Sequence, residues 1–346
     1  MITTLYRQLG IEQDLLKVQD IMRSQVNSST PFIRTALEDM LEQNGKMLRP
    51  ALLLLSSKFG IETPENPMKT ESPGPDSMGT QAGETGGASE KILTLAAAVE
   101  MLHTATLIHD DIIDQAPSRR GIPTLHTLYG SRNAVLLGDF LFTRSFRLAS
   151  DFTDMETGRY IAGMISSICE SEIRQHETSR PSAITFREYH RRIMGKTAAL
   201  FALSAYIGAY ESGTDERNCR RLRKIGANIG AGFQIIDDIL DFSGPSGNTG
   251  KSPGADIRQG IVNLPLLLAL QNDTGNLEQR LSKQPRNGRR MKRIITLTRD
   301  LNGLDQSRHC ARNYTDKALS SVALLPETVH RIHLKQFISS LLEREY

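Results

Sequence analysis

Twice along this chain an apolar run of helical period ends in the same acidic pattern. His109 is followed by Asp110, Asp111, Ile112, Ile113 and Asp114, and far downstream stand Asp237, Asp238, Ile239, Leu240 and Asp241. Residues four apart share a helix face, so Asp110 and Asp114 point together, as do Asp237 and Asp241. Like charges at that spacing cost a helix roughly 0.2–0.5 kcal/mol per pair. A single cluster is equally well explained as a solvated helix end. Two copies, both in apolar flanks, ask for a cation. Oxygen ligands alone select a hard ion, and Mg²⁺ takes one or two carboxylates together with substrate phosphates. Neither cluster has the alternating ligands and mid-loop glycine of a calcium-binding EF-hand.

The rest of the sequence reads as helix. Apolar residues recur at helical spacing over Phe32–Phe59, Lys91–Asp114, Val135–Ala149 and Arg221–Phe242, and no segment reads as a β-hairpin. The expected class is all-α, a single-domain bundle of stacked helices over residues 1–346 around a central substrate cavity. Residues 62–89, rich in Pro, Gly, Ser, Thr and Glu, have almost nothing to bury and read as a flexible inserted loop. Further loops are expected at Ser243–Ala255 and, short and basic, at Lys283–Arg290.

A net charge of +3 is too weak to argue for nucleic acid. It suits a small anionic substrate if the cations cluster. Cys169, Cys219 and Cys310 fit neither a zinc pattern nor a disulfide framework, and read as reduced thiols of a cytoplasmic protein. The N-terminus lacks the basic start and apolar block of a secretory signal. No stretch is read as reaching the ~18 apolar residues that span a bilayer, so contact with a membrane is expected to be peripheral at most, for product release.

Compact basic groups complete the pattern. Lys46 and Arg49 stand three apart, on one face if helical; Arg119 and Arg120 closely follow the first acidic cluster; Lys196 and Thr197 are adjacent. Arg suits bidentate phosphate contacts and Lys a point charge. Each group alone is more simply a surface pair. Gly195-Lys196-Thr197 is not a P-loop, because the upstream glycine is missing from its required place.

The order of these segments resembles the trans-isoprenyl diphosphate synthases. The resemblance runs through GKMLRP (45–50), EMLHTATLIHDDIID (100–114), SRRGIPTLH (118–126), GSRNAVLLGDFL (130–141), GKTAAL (195–200) and GFQIIDDILDF (232–242), then GKSPGADIRQG and NLP. It covers about residues 30–270 and looks closest to long-chain members, such as heptaprenyl or octaprenyl diphosphate synthases, which make quinone side chains.

The resemblance implies a magnesium-dependent transferase that joins isopentenyl diphosphate to an allylic diphosphate. Asp110, Asp111 and Asp114 would hold Mg²⁺ bridged to the allylic diphosphate, and Asp237 and Asp241, with Asp238 beside them, a further ion. Arg119, Lys196, Thr197, Gln234 and Lys251 would contact the allylic substrate. Lys46, Arg49, His103 and Arg120 would hold isopentenyl diphosphate. The growing chain would enter a pocket beside the helix ending at Asp110, where short-chain members place an aromatic. Here Ala105, Thr106 and Leu102 leave it open, and one helical turn, about 5.4 Å, is near one isoprene unit. One departure is Ile261, where many members carry Lys. The resemblance also implies a homodimer and is compatible with a small second subunit. Two alternatives are a farnesyl- or geranylgeranyl-length synthase and the catalytic half of a heteromer; retention of both acidic clusters argues against a non-catalytic subunit.

Overall fold

A computed structural model describes residues 2–27, 30–42, 45–60, 87–119, 121–177, 184–242, 254, 257–258, 260–282 and 288–342. Helices α1 (Ile2–Gln8), α2 (Glu12–Asn27), α3 (Pro31–Glu42) and α4 (Leu48–Ser57) precede the long α5 (Glu90–Ile113). A two-stranded hairpin, β1 (Ser118–Arg119) and β2 (Ile122–Pro123), and the short α6 (Leu125–Tyr129) lead into α7 (Ser131–Ser150) and α8 (Met155–Glu177). Helix α9 (Phe186–Ile193) widens into one π turn over Met194–Ala198 and continues as α10 (Ala199–Glu211). Then come α11 (Glu216–Leu240), α12 (Leu264–Gln271), α13 (Asn276–Ser282), α14 (Gly288–Asp300), α15 (Gly303–Val322) and α16 (Val329–Leu342). The expected all-α class holds.

Helix α5 is the hub because it is apolar on every side. Ser89 caps its first turn by accepting the Ile92 N–H, and every residue from Ile92 to Leu102 is buried. It packs against α2, α4, α7 and α10. Contrary to the sequence reading, this helix is long and apolar enough to cross a bilayer, but 78% of its apolar window is buried inside the protein, as a core helix must be. Helix α10 is likewise buried almost throughout. It approaches α4 so closely that a Cβ on Gly208 would lie 2.2 Å from the Leu53 carbonyl oxygen, a contact only glycine permits. One buried apolar cluster runs from Tyr6 to Leu342.

Two local expectations need correction. The periodic stretch 32–59 is two helices, broken before Met47, which takes a left-handed φ of 48° as the N-cap of α4. The hairpin at Ser118–Pro123 went unread because each strand has only two residues, too short for any alternation, with Gly121 at φ 83° in the turn. The inserted loop falls almost wholly outside the described residues. At its end Ala88 donates its N–H to Asp14 (3.2 Å). Of the other loops, Gly254 is described and bonds the Asp241 carbonyl (2.9 Å), and α14 already begins at Gly288.

Candidate active site

Both acidic clusters are helix C-termini. Asp114 caps α5, its N–H bonded to the Asp110 carbonyl (2.8 Å), and Asp241 caps α11 with its N–H on the Asp237 carbonyl (3.2 Å). A helix C-terminus carries roughly half a negative charge, so carboxylates there are doubly unfavourable unless cations face them.

The π turn supplies the first cation and joins the two clusters. Lys196 Nζ lies 3.3 Å from Asp110 and 2.9 Å from Glu172 of α8. Its neighbour Thr197 donates to Gln234 Oε1 (2.6 Å), and Gln234 Nε2 donates to Asp238 Oδ1 (2.9 Å). Adjacent residues of one turn thus reach the ends of α5 and α11. A wide turn re-aims side chains relative to a regular helix, and such turns gather at functional sites. Packing holds it there: a Cβ on Gly230 of α11 would lie 2.5 Å from the Ala198 Cα.

Burial lowers the Lys196 pKa, but Asp110 and Glu172 outweigh it and raise it overall. Burial raises the Glu172 pKa, Lys196 pulls the other way, and Asp110 and Asp114 add to the rise. Among the described residues the Lys196 ammonium is thus shared by Asp110 and Glu172. Next to it, Arg119 grips Asp111 with Nε at 2.9 and 3.1 Å and a terminal nitrogen at 2.7 Å. Burial opposes the charge on Arg119, but Asp111, Asp110 and Asp114 raise its pKa overall.

Among the described residues no ready-made cage of three or more His, Cys, Asp or Glu side chains closes around a point. Oxygen-only donors on two negative helix ends fit a hard ion that fills the rest of its shell with water and phosphate oxygens, which suits Mg²⁺. Asp110, Asp114, Asp237 and Asp241 are the groups that would hold it. Asp238 is differently employed: buried, it accepts from the Tyr189 hydroxyl (2.7 Å), the Gln234 amide and the Leu264 N–H (3.1 Å).

The remaining candidates are spread along the elements. Arg49 is buried, 4.7 Å above the Phe201 ring; burial lowers its pKa to about 10 against the pull of Glu100. Lys46 is exposed and precedes α4, so it does not share a helix face with Arg49 as the sequence implied; its carbonyl accepts from Tyr6. His103 is half-buried on α5, two turns before Asp110. Arg120 and Lys251 lie outside the described residues. Ala105 and Leu102 are buried, and Thr106 bonds the His103 carbonyl (2.7 Å). Phe140 and Phe142 of α7 pack against the same core, and Ser145 ties α7 to α5 through the Ala98 carbonyl (2.8 Å). Sequence reasoning missed Glu172 and Tyr189. Glu172 has no motif around it. Tyr189 stands seven residues before Lys196, a helical offset that could have placed it on the same side.

The chain matches the polyprenyl synthetase family over residues 30–298. It is 32% identical to solanesyl-diphosphate synthase 2, chloroplastic, of Oryza sativa subsp. japonica, over 96% of this chain and 78% of that one. Among solved structures, geranylgeranyl pyrophosphate synthase from Lactobacillus brevis superposes with a TM-score of 0.86 at 33% identity, covering 99% of this chain and all of that one. A polyprenyl synthase from Caulobacter crescentus, complexed with calcium and isoprenyl diphosphate, gives a TM-score of 0.85 at 29% identity, covering 99% and 98%. The fold, the two acidic helix ends and these matches together make the chain a prenyltransferase of the polyprenyl synthetase family.

Proposed function

We propose that this chain condenses isopentenyl diphosphate head-to-tail with an allylic diphosphate, repeatedly, to give a long all-trans polyprenyl diphosphate suited to a quinone side chain. The observation that carries the reading is the pair Lys196 and Thr197, adjacent in one π turn and reaching opposite acidic helix ends. Bound Mg²⁺ would supply charge neutralisation at the diphosphate. Lys196, Thr197, Gln234, Arg119 and Lys251 orient the allylic diphosphate so that its C–O bond breaks with the electron pair leaving on diphosphate, a developing anion met by fixed cations. Arg49, His103, Lys46 and Arg120 hold isopentenyl diphosphate, whose double bond attacks the allylic cation. A new C–C bond forms, and the proton lost from the adduct goes to the departing diphosphate. No side-chain nucleophile is needed. Asp238 orients Gln234 rather than holding metal.

Ala105, with Leu102 and Thr106, supports a long product. A second reading, a geranylgeranyl-length product, is favoured by the function of the Lactobacillus brevis protein. We treat residues 1–346 as one unit, in keeping with the buried cluster from Tyr6 to Leu342. The exposed apolar side chains Leu128, Val135, Leu136 and Phe146 support a homodimer through the α6–α7 face. The free thiols Cys169, Cys219 and Cys310 accord with a cytoplasmic enzyme.

The test incubates the purified chain with Mg²⁺, farnesyl diphosphate and labelled isopentenyl diphosphate and sizes the products. Products well beyond geranylgeranyl length are expected. A product of that length overturns the long-chain reading. No product from the chain alone, restored by a small subunit, makes it the catalytic half of a heteromer.

A further inference from the structure

Helix α14 has two unlike faces. Met291, Ile294, Leu297 and Thr298 are buried, while Arg289, Lys292 and Arg293 are exposed. The outward face borders an open groove of about 510 Å³ lined, among the described residues, by Arg280 of α13 and by Arg289, Arg290, Lys292, Arg293 and Thr296 of α14, none of them a carboxylate. The charge is local: the stretch 283–293 holds six Lys and Arg and no Asp or Glu, although the whole chain carries only +3. None of the groove's lining residues belongs to the acidic site. On its inner side the helix backs onto that site. A Cβ on Gly254 would meet Met291 Sδ at 2.5 Å, and Gly254 N–H bonds the carbonyl of Asp241.

We propose that this groove and the outer face of α14 dock the protein on an anionic phospholipid surface, the lipid phosphates seated among Arg280, Arg289, Lys292 and Arg293. The groove is open rather than enclosed, which suits phosphates presented in a plane. Guanidinium groups take such phosphates bidentately. A juxtaposed cation near an anionic leaflet is worth about fivefold in partition. The choice of a membrane over another polyanion rests on the product reading above, since a long polyprenyl chain is itself a lipid. The docking is the protein's own and needs no substrate.

The experiment co-sediments the full chain with vesicles of phosphatidylcholine alone, and of phosphatidylcholine mixed with phosphatidylglycerol, at low and high salt. The proposal expects binding to the mixed vesicles only, weakened by salt. The variant Arg289→Gln/Lys292→Gln/Arg293→Gln, exposed at every site, is expected to lose that binding by roughly two orders of magnitude, at about fivefold per cation. It should keep the wild-type rate of condensation without vesicles, which shows that it is folded. Equal binding by variant and wild type, or no preference for the anionic vesicles, overturns the proposal. So does vesicle binding that is abolished by low inorganic diphosphate, which would make the groove a site for a soluble anion. Because condensation is read separately, a failed synthase reading and a failed docking surface cannot be confused.

Discussion

The Tyr189 hydroxyl donates a 2.7 Å hydrogen bond to Asp238 from 49 residues away. Both residues are buried, and burial together with the Asp238 charge pushes the Tyr189 pKa well above its usual value, so the phenol stays a donor. Tyr189→Phe removes one donor to a buried carboxylate. A hydrogen bond to a charged group contributes about 1.5–3 kcal/mol, so thermal unfolding should show a loss of that order. Gln234 leans on the same carboxylate, so kcat should fall as well. Unchanged melting and turnover would make the bond incidental.

Gly230 tests the packing beneath the π turn. In an open helix, Gly→Ala stabilises by up to about 1 kcal/mol. Here the new methyl would lie 2.5 Å from the Ala198 Cα, on a backbone that cannot swing away. Overpacking of this kind costs about 1–3 kcal/mol, so the clash wins. Gly230→Ala should melt earlier and lose turnover beyond its loss of folded protein, because Lys196 and Thr197 move with Ala198.

Ala105 is fully buried on α5, one turn above Met101. Ala105→Phe should shorten the product, since an aromatic ring there closes the space beside the helix, at a stability cost of about 1–3 kcal/mol. Product sizing by chromatography reads the first effect and thermal melting the second. Unchanged product length would move the floor of the pocket to Phe140, Phe142 or Phe146 of α7.

Glu172 carries a signed pH dependence. Burial and the neighbouring Asp110 and Asp114 outweigh Lys196 and raise its pKa. The folded state therefore binds its proton more tightly than the unfolded chain does. Stability from this group falls as pH rises from the ordinary glutamate range through the raised value, and is regained on mild acidification. Without metal, Glu172→Gln should be at least as stable as the parent at neutral pH and should lack that dependence. Melting temperature against pH decides it. Lys196 has the opposite consequence: its raised pKa gives stability that is lost only above the ordinary lysine range.

Much of this was legible in the sequence. The ends of α5 and α11 could be read because apolar period and acidic repeat coincide at Asp110–Asp114 and Asp237–Asp241. The roles of Lys196, Thr197, Gln234 and Arg119 came with the family resemblance carried by GKTAAL, GFQIIDDILDF and SRRGIPTLH. The π turn could not be read, because MGKTA looks like ordinary helix and its close neighbour across the packing, Gly230 against Ala198, is a tertiary contact. Glu172 and Tyr189 escaped for the same reason: a lone polar residue in a helical pattern acquires a role only when another helix arrives. Arg49 and Lys46 were paired on helical spacing, and the left-handed Met47 between them breaks that spacing.

Action of the two acidic helix ends on one diphosphate implies energetic coupling between them. It is tested most directly by a double-mutant cycle on single-turnover diphosphate release, using Asp110→Asn, Asp237→Asn and both together in saturating Mg²⁺. Groups that act as a unit are strongly non-additive. Each single change should cost orders of magnitude, and the double change little more than the worse single one. Losses that simply multiply would contradict the coupling, and would mean that the clusters serve separate sites.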